Sequence, residues 1–295
     1  MKETVFTGSA CAIITPFDET GKVDLKALKR QIDFQITNGT KALVVCGTTG
    51  EASTLNARER RQVIKSAVRF AQGRVPVIAG TGSNCTETAV RQSEAAELVG
   101  ADALLIVTPY YNKCSQDGLF KHYEFIAKRV SLPIIVYNVP SRTGVDIKPQ
   151  TYSQLSKIEN IVATKEANGN ISALAETLAL CGEDLTVYCG NDDQTAAFTA
   201  MGAKGVISVT ANILPAETAD MAESGIYGNT GRSVRLQLKY LELCKCLFCD
   251  VNPVPVKAAM AMLGTDSGVT RLPLTETSGA NLKRIEETLK YYGLM

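Results

Sequence analysis

Short apolar runs recur along the chain, and each is followed by a stretch with helical spacing. The runs are Ala10–Thr15, Ala42–Cys46, Pro76–Gly80, Ala103–Val107, Pro133–Asn138, Ile161–Lys165, Thr186–Cys189 and Gly205–Ser208. They are continuous rather than alternating, the pattern of parallel strands buried on both faces. The stretches between them begin near Asp24, Asn56, Cys85, Gln116, Lys148, Asn170, Asp192 and Ile213. Leu25, Leu28, Ile32 and Ile36 show the one-sided spacing of a helix laid on a sheet. Asn56-Ala57-Arg58-Glu59 reads as an N-cap with an acid three residues on, and Thr86, Asn170 and Asp192 are further cap candidates. The strand-plus-helix unit recurs at roughly 20 to 35 residues, the size of a βα repeat. Eight units in succession predict an α/β fold, a (β/α)8 TIM barrel. A doubly wound sheet is the competitor, but no Gly-x-Gly-x-x-Gly follows the first strand, and Gly80-Thr81-Gly82 lacks its third glycine.

From about Gly225 the strand pattern stops. Ser233–Cys249, Pro255–Leu263 and Gly279–Tyr292 read as three helices. The expected division is a barrel over residues 1–224 and a C-terminal helical extension over 225–295.

Composition narrows the function. The chain has 295 residues, 45% hydrophobic and 21% charged, with a net charge of +1. A near-neutral chain without a basic stripe argues against nucleic acid or an anionic membrane surface as partner. No apolar run approaches the roughly 20 residues of a membrane span. The first residues, Met1 to Phe6, are too polar for a secretory signal, so the expected location is the cytoplasm. Nine scattered cysteines then read as reduced thiols. Cys244, Cys246 and Cys249 fall in an apolar helical stretch, which favours core packing over a metal site. A single histidine, His122 among Phe120, Tyr123 and Phe125, leaves little room for a His-centred triad or a multi-His metal centre.

In a barrel, chemistry gathers where the strands end. The second strand runs into Gly47-Thr48-Thr49-Gly50-Glu51, and the fourth into Thr108-Pro109-Tyr110-Tyr111-Asn112. The fifth ends in Tyr137-Asn138-Val139-Pro140-Ser141-Arg142-Thr143-Gly144, the sixth at Lys165, and the seventh in Gly190-Asn191-Asp192-Asp193. Taken singly, each has a plain reading. Lys165 pairs with Glu166, Gly47–Gly50 is a tight turn, the tyrosines pack, Arg142 is a solvated charge, and Asp192-Asp193 cap a helix. Taken together they fit one chemistry. An amine at the end of an apolar strand is desolvated toward its nucleophilic form. Backbone N–H groups and hydroxyls suit a carboxylate. Arginine supplies a fork for a second carboxylate, and phenols move protons where histidine is absent. That set describes a metal-free, Schiff-base aldolase for a small keto acid.

The motifs Gly47–Glu51, Tyr137–Gly144, Lys165-Glu166-Ala167 and Gly205–Thr210, in this order and spacing, resemble the dihydrodipicolinate synthase family of pyruvate-dependent class I aldolases, which also holds N-acetylneuraminate lyase. The resemblance spans essentially the whole chain. It implies that Lys165 forms an imine with pyruvate, beside Tyr137 as proton donor and acceptor. It implies a relay of Tyr137, Thr48 and Tyr111, the last reaching in from a neighbouring subunit. Thr48 and Thr49 would hold the pyruvate carboxylate and Arg142 that of aspartate 4-semialdehyde, with Gly190 and Ile207 lining the pocket. No metal or organic cofactor is implied, and the assembly would be a homotetramer built as a dimer of dimers. Arg142, in its Tyr-Asn-x-Pro-x-Arg-Thr context, favours the synthases over siblings that act on a 2-keto-3-deoxy sugar acid or N-acetylneuraminate. A non-catalytic keto-acid sensor, the rival of another class, has no need of Lys165, Tyr137 and Thr48 together.

One departure concerns regulation. Lysine-inhibited members bind the effector at positions matching Ala52, Ser53, Ala57, Arg60, Asn84, Thr88 and Tyr110. Asn84 and Tyr110 are kept, but Thr88 stands for the acid that would pair with the ammonium, and both histidines are missing. Feedback by L-lysine is therefore expected to be weak or absent.

Overall fold

In the computed structural model, which describes residues 2–295, eight parallel strands close into a barrel in sequence order. They are β1 Gly8–Ala12, β2 Ala42–Val45, β3 Val77–Gly80, β4 Ala103–Val107, β5 Ile134–Asn138, β6 Ile161–Glu166, β7 Thr186–Cys189 and β8 Gly205–Ser208. β8 returns to pair with β1 in parallel, and this leaves no free sheet edge. Side chains alternate across the wall. Ala12, Val44, Ile78, Leu105, Ile135, Tyr137, Ala163 and Ile207 fill the inside, while Leu43, Val45, Leu104, Val136 and Ile134 meet the surrounding helices. Both faces are apolar because both are covered, and this explains the unbroken runs in the sequence. Phe6 and Tyr188 stack with centroids 4.1 Å apart near the N-terminal end of the barrel, and the Tyr188 hydroxyl donates to the Phe6 carbonyl at 2.8 Å.

Three local expectations need correction. The first run extends to Thr15, but its strand ends at Ala12; Ile13, Ile14 and Thr15 are buried by other neighbours. Ile14 packs with the C-terminal helices and Thr15 Oγ1 donates to the Gly50 carbonyl at 2.7 Å. Helix Thr86–Leu98 has Cys85 at its N-cap without a side-chain bond, since the Thr86 hydroxyl lies 2.9 Å from His122 Nδ1 instead. Asp192 caps nothing of its own. Its Oδ2 accepts from the backbone N–H groups of Val209 and Thr210 and from Thr210 Oγ1, at 2.8–3.0 Å, and so fixes the turn after β8. The cap at Asn56 forms as a full capping box with Glu59, and Asn170 accepts from the Ala173 N–H.

Beyond helix Pro215–Ile226 the chain is helical: Thr230–Lys239, Leu241–Cys246, Val254–Met262 and Gly279–Tyr291. The first expected helix is broken in two at Tyr240. Cys246, Leu247, Val256 and Ile285 from this part join Ile14, Val209 and Leu214 of the barrel rim in one apolar cluster. Cys246 is thus a core side chain, and Cys244 lies 3.6 Å from Thr210 Oγ1.

Candidate active site

Lys165 is the fifth residue of β6, and alternation turns its side chain into the barrel. It is only 6% exposed, yet its amine does not pair with Glu166. The next residue in a strand faces the other way, and Glu166 is taken up outside the wall. There its carboxylate accepts from Asn138 Nδ2 at 3.0 and 3.1 Å, from the Tyr152 hydroxyl at 2.8 Å and from the Asn168 N–H at 2.8 Å. Burial nevertheless outweighs these donors and pushes the Glu166 carboxyl up to about 7. The register sets Tyr137 of β5 directly beside Lys165, and Asn138 beside Glu166. The Lys165 amine rests 4.4 Å from the centre of the Tyr137 ring, over its face.

The loop after β2 brings Thr48 and Thr49 to the same end of the barrel. Cys46 and Glu51 flank it with φ of 54° and 50°, so the chain turns sharply there. Thr49 is buried, and its hydroxyl accepts from Asn252 Nδ2 at 3.0 Å. A cavity of about 170 Å³ is lined by Thr48, Thr49, Tyr137, Arg142, Lys165 and Gly190, six of the eight residues singled out from the sequence. Gly190 admits no side chain, because a Cβ there would lie 2.8 Å from that of Ala167 and 2.9 Å from the Glu166 carbonyl. Arg142 is exposed at the mouth, on the short helix Pro140–Thr143 that follows β5. A second cavity of about 390 Å³ opens beside the first and shares Thr48, Tyr137 and Arg142 with it; Ala52, Ser53, Arg60 and Tyr110 lie on its far side.

The other two expected residues line neither cavity of this chain. Ile207 packs in the barrel interior, and Val209, two residues further on, lines the smaller cavity. Tyr111 lines neither cavity of its own chain; it is 89% exposed, with φ of 74°. Asn252 lines both cavities and was not anticipated. The available signal was a polar residue set between two apolar helical stretches, directly before Pro253.

The arrangement provides a buried amine with a phenol beside it, a hydroxyl- and amide-rich loop opposite, and a guanidinium at the entrance. That can form an imine with a keto acid and present a second carboxylate-bearing molecule to it. The comparisons agree with this chemistry. A 4-hydroxy-tetrahydrodipicolinate synthase of Acetivibrio thermocellus is 50% identical over 295 residues, the full length of both chains. One from Alkaliphilus oremlandii is 48% identical over 97% of this chain and 98% of its own. The crystal structure of the chloride-inhibited dihydrodipicolinate synthase of Acinetobacter baumannii, complexed with pyruvate, superposes with a TM-score of 0.96 at 42% identity, covering 99% of this chain and 100% of that one. The model of the Dihydrodipicolinate synthetase family matches residues 5–292, and the chain belongs to that family.

Proposed function

We propose that the chain condenses pyruvate with L-aspartate 4-semialdehyde to 4-hydroxy-tetrahydrodipicolinate, in lysine and diaminopimelate biosynthesis. The observation that carries this reading is the Lys165 amine, buried, free of its neighbouring carboxylate and lying over the Tyr137 ring. The amine attacks C2 of pyruvate, and the carbinolamine loses water to give an imine. A proton leaves C3 to Tyr137 and yields an enamine. C3 then bonds to the aldehyde carbon, whose oxygen takes up a proton, and attack by the substrate's amino group on C2 closes the ring and releases Lys165. Thr48 and Thr49 hold the pyruvate carboxylate, with Gly190 at the pocket wall and Ile207 packed in the barrel interior, while Arg142 holds that of the aldehyde.

Tyr111 completes the proton relay with Thr48 and Tyr137 in a neighbouring subunit. Its exposure and its absence from both cavities of its own chain support this. The assembly is then a homotetramer, a dimer of dimers, working in the cytoplasm. Residues 1–224 form the catalytic barrel and 225–295 the helical domain packed on its rim.

Trapping tests the mechanism. Incubation with pyruvate and borohydride should add a pyruvate-derived mass to the peptide holding Lys165, and none in Lys165→Ala. A folded wild-type protein that takes up no adduct removes the imine and the function with it.

A further inference from the structure

The reaction steps above leave unused a buried charge cluster behind the Gly47–Gly50 loop. Lys257 and Glu51 have fully buried side chains, with Nζ 2.6 Å from Oε1. Glu51 closes the loop after β2, whereas Lys257 sits in helix Val254–Met262, near the far end of the chain. The Lys257 ammonium also donates to the Val269 carbonyl at 2.7 Å and lies 4.1 Å from the centre of the Phe17 ring. The Arg271 guanidinium is 4.3 Å from the same ring, and the Arg271 backbone N–H donates to Glu51 Oε2 at 3.1 Å. Both oxygens of one carboxylate are thus held by the C-terminal segment.

The other end of Glu51 is tied to the loop. Its N–H donates to the Thr48 carbonyl at 3.1 Å, and the Ala52 N–H to that of Gly47 at 3.2 Å. Its φ of 50° is one that a residue with a side chain keeps only when its surroundings hold it. Asn252, five residues before Lys257, donates to the Thr49 hydroxyl at 3.0 Å. A buried ion pair is a poor source of stability beside well-packed apolar groups, but breaking one is costly. What such a pair supplies here is a fixed geometry across the gap between loop and helix.

We propose that Lys257, Glu51 and Asn252 are positioning residues that hold the Thr48–Thr49 loop in its pyruvate-binding shape, so that the C-terminal segment is part of the site. This rests on the loop being the pyruvate carboxylate site, as proposed above. Loosening the loop changes capture of the keto acid and leaves Arg142, on another strand's loop, in place. A loss confined to one of two substrates is not what general destabilisation produces.

The test compares wild type, Lys257→Met and Asn252→Ala. It reads the pyruvate concentration at half-maximal borohydride trapping on Lys165, KM for each substrate, kcat, and the cooperativity of thermal unfolding. In the variants the half-saturating pyruvate should rise about 10- to 100-fold, the loss expected when a hydrogen bond to a charged carboxylate is given up. KM for the aldehyde should stay near that of wild type. A folded variant that traps pyruvate at the wild-type concentration, or that loses both substrates equally, overturns the proposal. Should Lys257→Met fail to fold, Asn252→Ala leaves the ion pair intact and decides the question on the same criteria. Wild type without any adduct would defeat the functional reading itself, and this inference with it; normal trapping by both wild type and variants defeats the positioning role alone.

Discussion

Lys165 and Glu166 show how much one step along a strand decides. One side chain enters the reaction chamber, and the other enters a shell of donors behind the wall. Burial lifts the Glu166 carboxyl from 4.5 to about 7, and burial drops the His122 imidazole from 6.5 to about 4. Between those limits folded Glu166 keeps a proton that the unfolded chain has released, so its contribution falls as pH rises from about 4.5 to 7. Folded His122 refuses a proton that the unfolded chain accepts, so its contribution falls as pH drops from 6.5 to about 4. Each shift corresponds to about 3 kcal/mol, and the two slopes oppose each other over most of the same window. Glu166→Gln keeps the shape and removes one slope. Its melting temperature should gain on wild type above pH 7 and fall more steeply than wild type between pH 6.5 and 4.5. Identical profiles for the two proteins would show that Glu166 is not the titrating group.

At the scale of elements, the strands were legible because burial on both faces writes an unbroken apolar run. β4, β7 and β8 have the bounds their sequences suggest. Where reading failed, a long-range partner intervened. Ile13 to Thr15 continue an apolar run for a different neighbour, Asp192 serves β8 rather than its own helix, and Tyr240 interrupts a helix whose spacing gives no warning. That one cavity draws together Lys165, Tyr137, Thr48, Thr49, Arg142 and Gly190 was legible because each lies at a strand end or in the segment that directly follows one. Asn252 and Lys257 were not, since their partners Thr49 and Glu51 lie far away in the sequence. Helix Ala57–Ala71 carries a functional expectation of its own. Ala57 is its first residue and Arg60 follows one turn on, with the Arg60 guanidinium donating to the Ala52 and Gly80 carbonyls and to Gln92 Oε1. A cation therefore stands at the edge of the larger cavity, where a lysine ammonium would need an anion. Rates of the purified enzyme should be unchanged by sub-millimolar L-lysine; inhibition there would show that other groups supply the missing charge.

For the whole molecule, the exposed Tyr111 makes assembly a matter of chemistry. If it serves a neighbour, Lys165→Ala and Tyr111→Phe are each defective for a different half of one site. Unfolding and refolding the two together should restore sites that carry both intact residues, about a quarter of the total for random pairing in a two-fold dimer. A mixture no more active than its separate components would place Tyr111 outside the relay. The Lys257–Glu51 pair has a consequence in time as well as in space. During synthesis the Glu51 carboxylate leaves the ribosome long before the ammonium that neutralises it. Until helix Val254–Met262 has been made, the chain holds an acid whose only comfortable surroundings are water. If Lys257 positions the loop as proposed, the Thr48–Thr49 loop sets last, and an interrupted chain, even one with a closed barrel, would carry Lys165 beside a binding loop not yet held in shape.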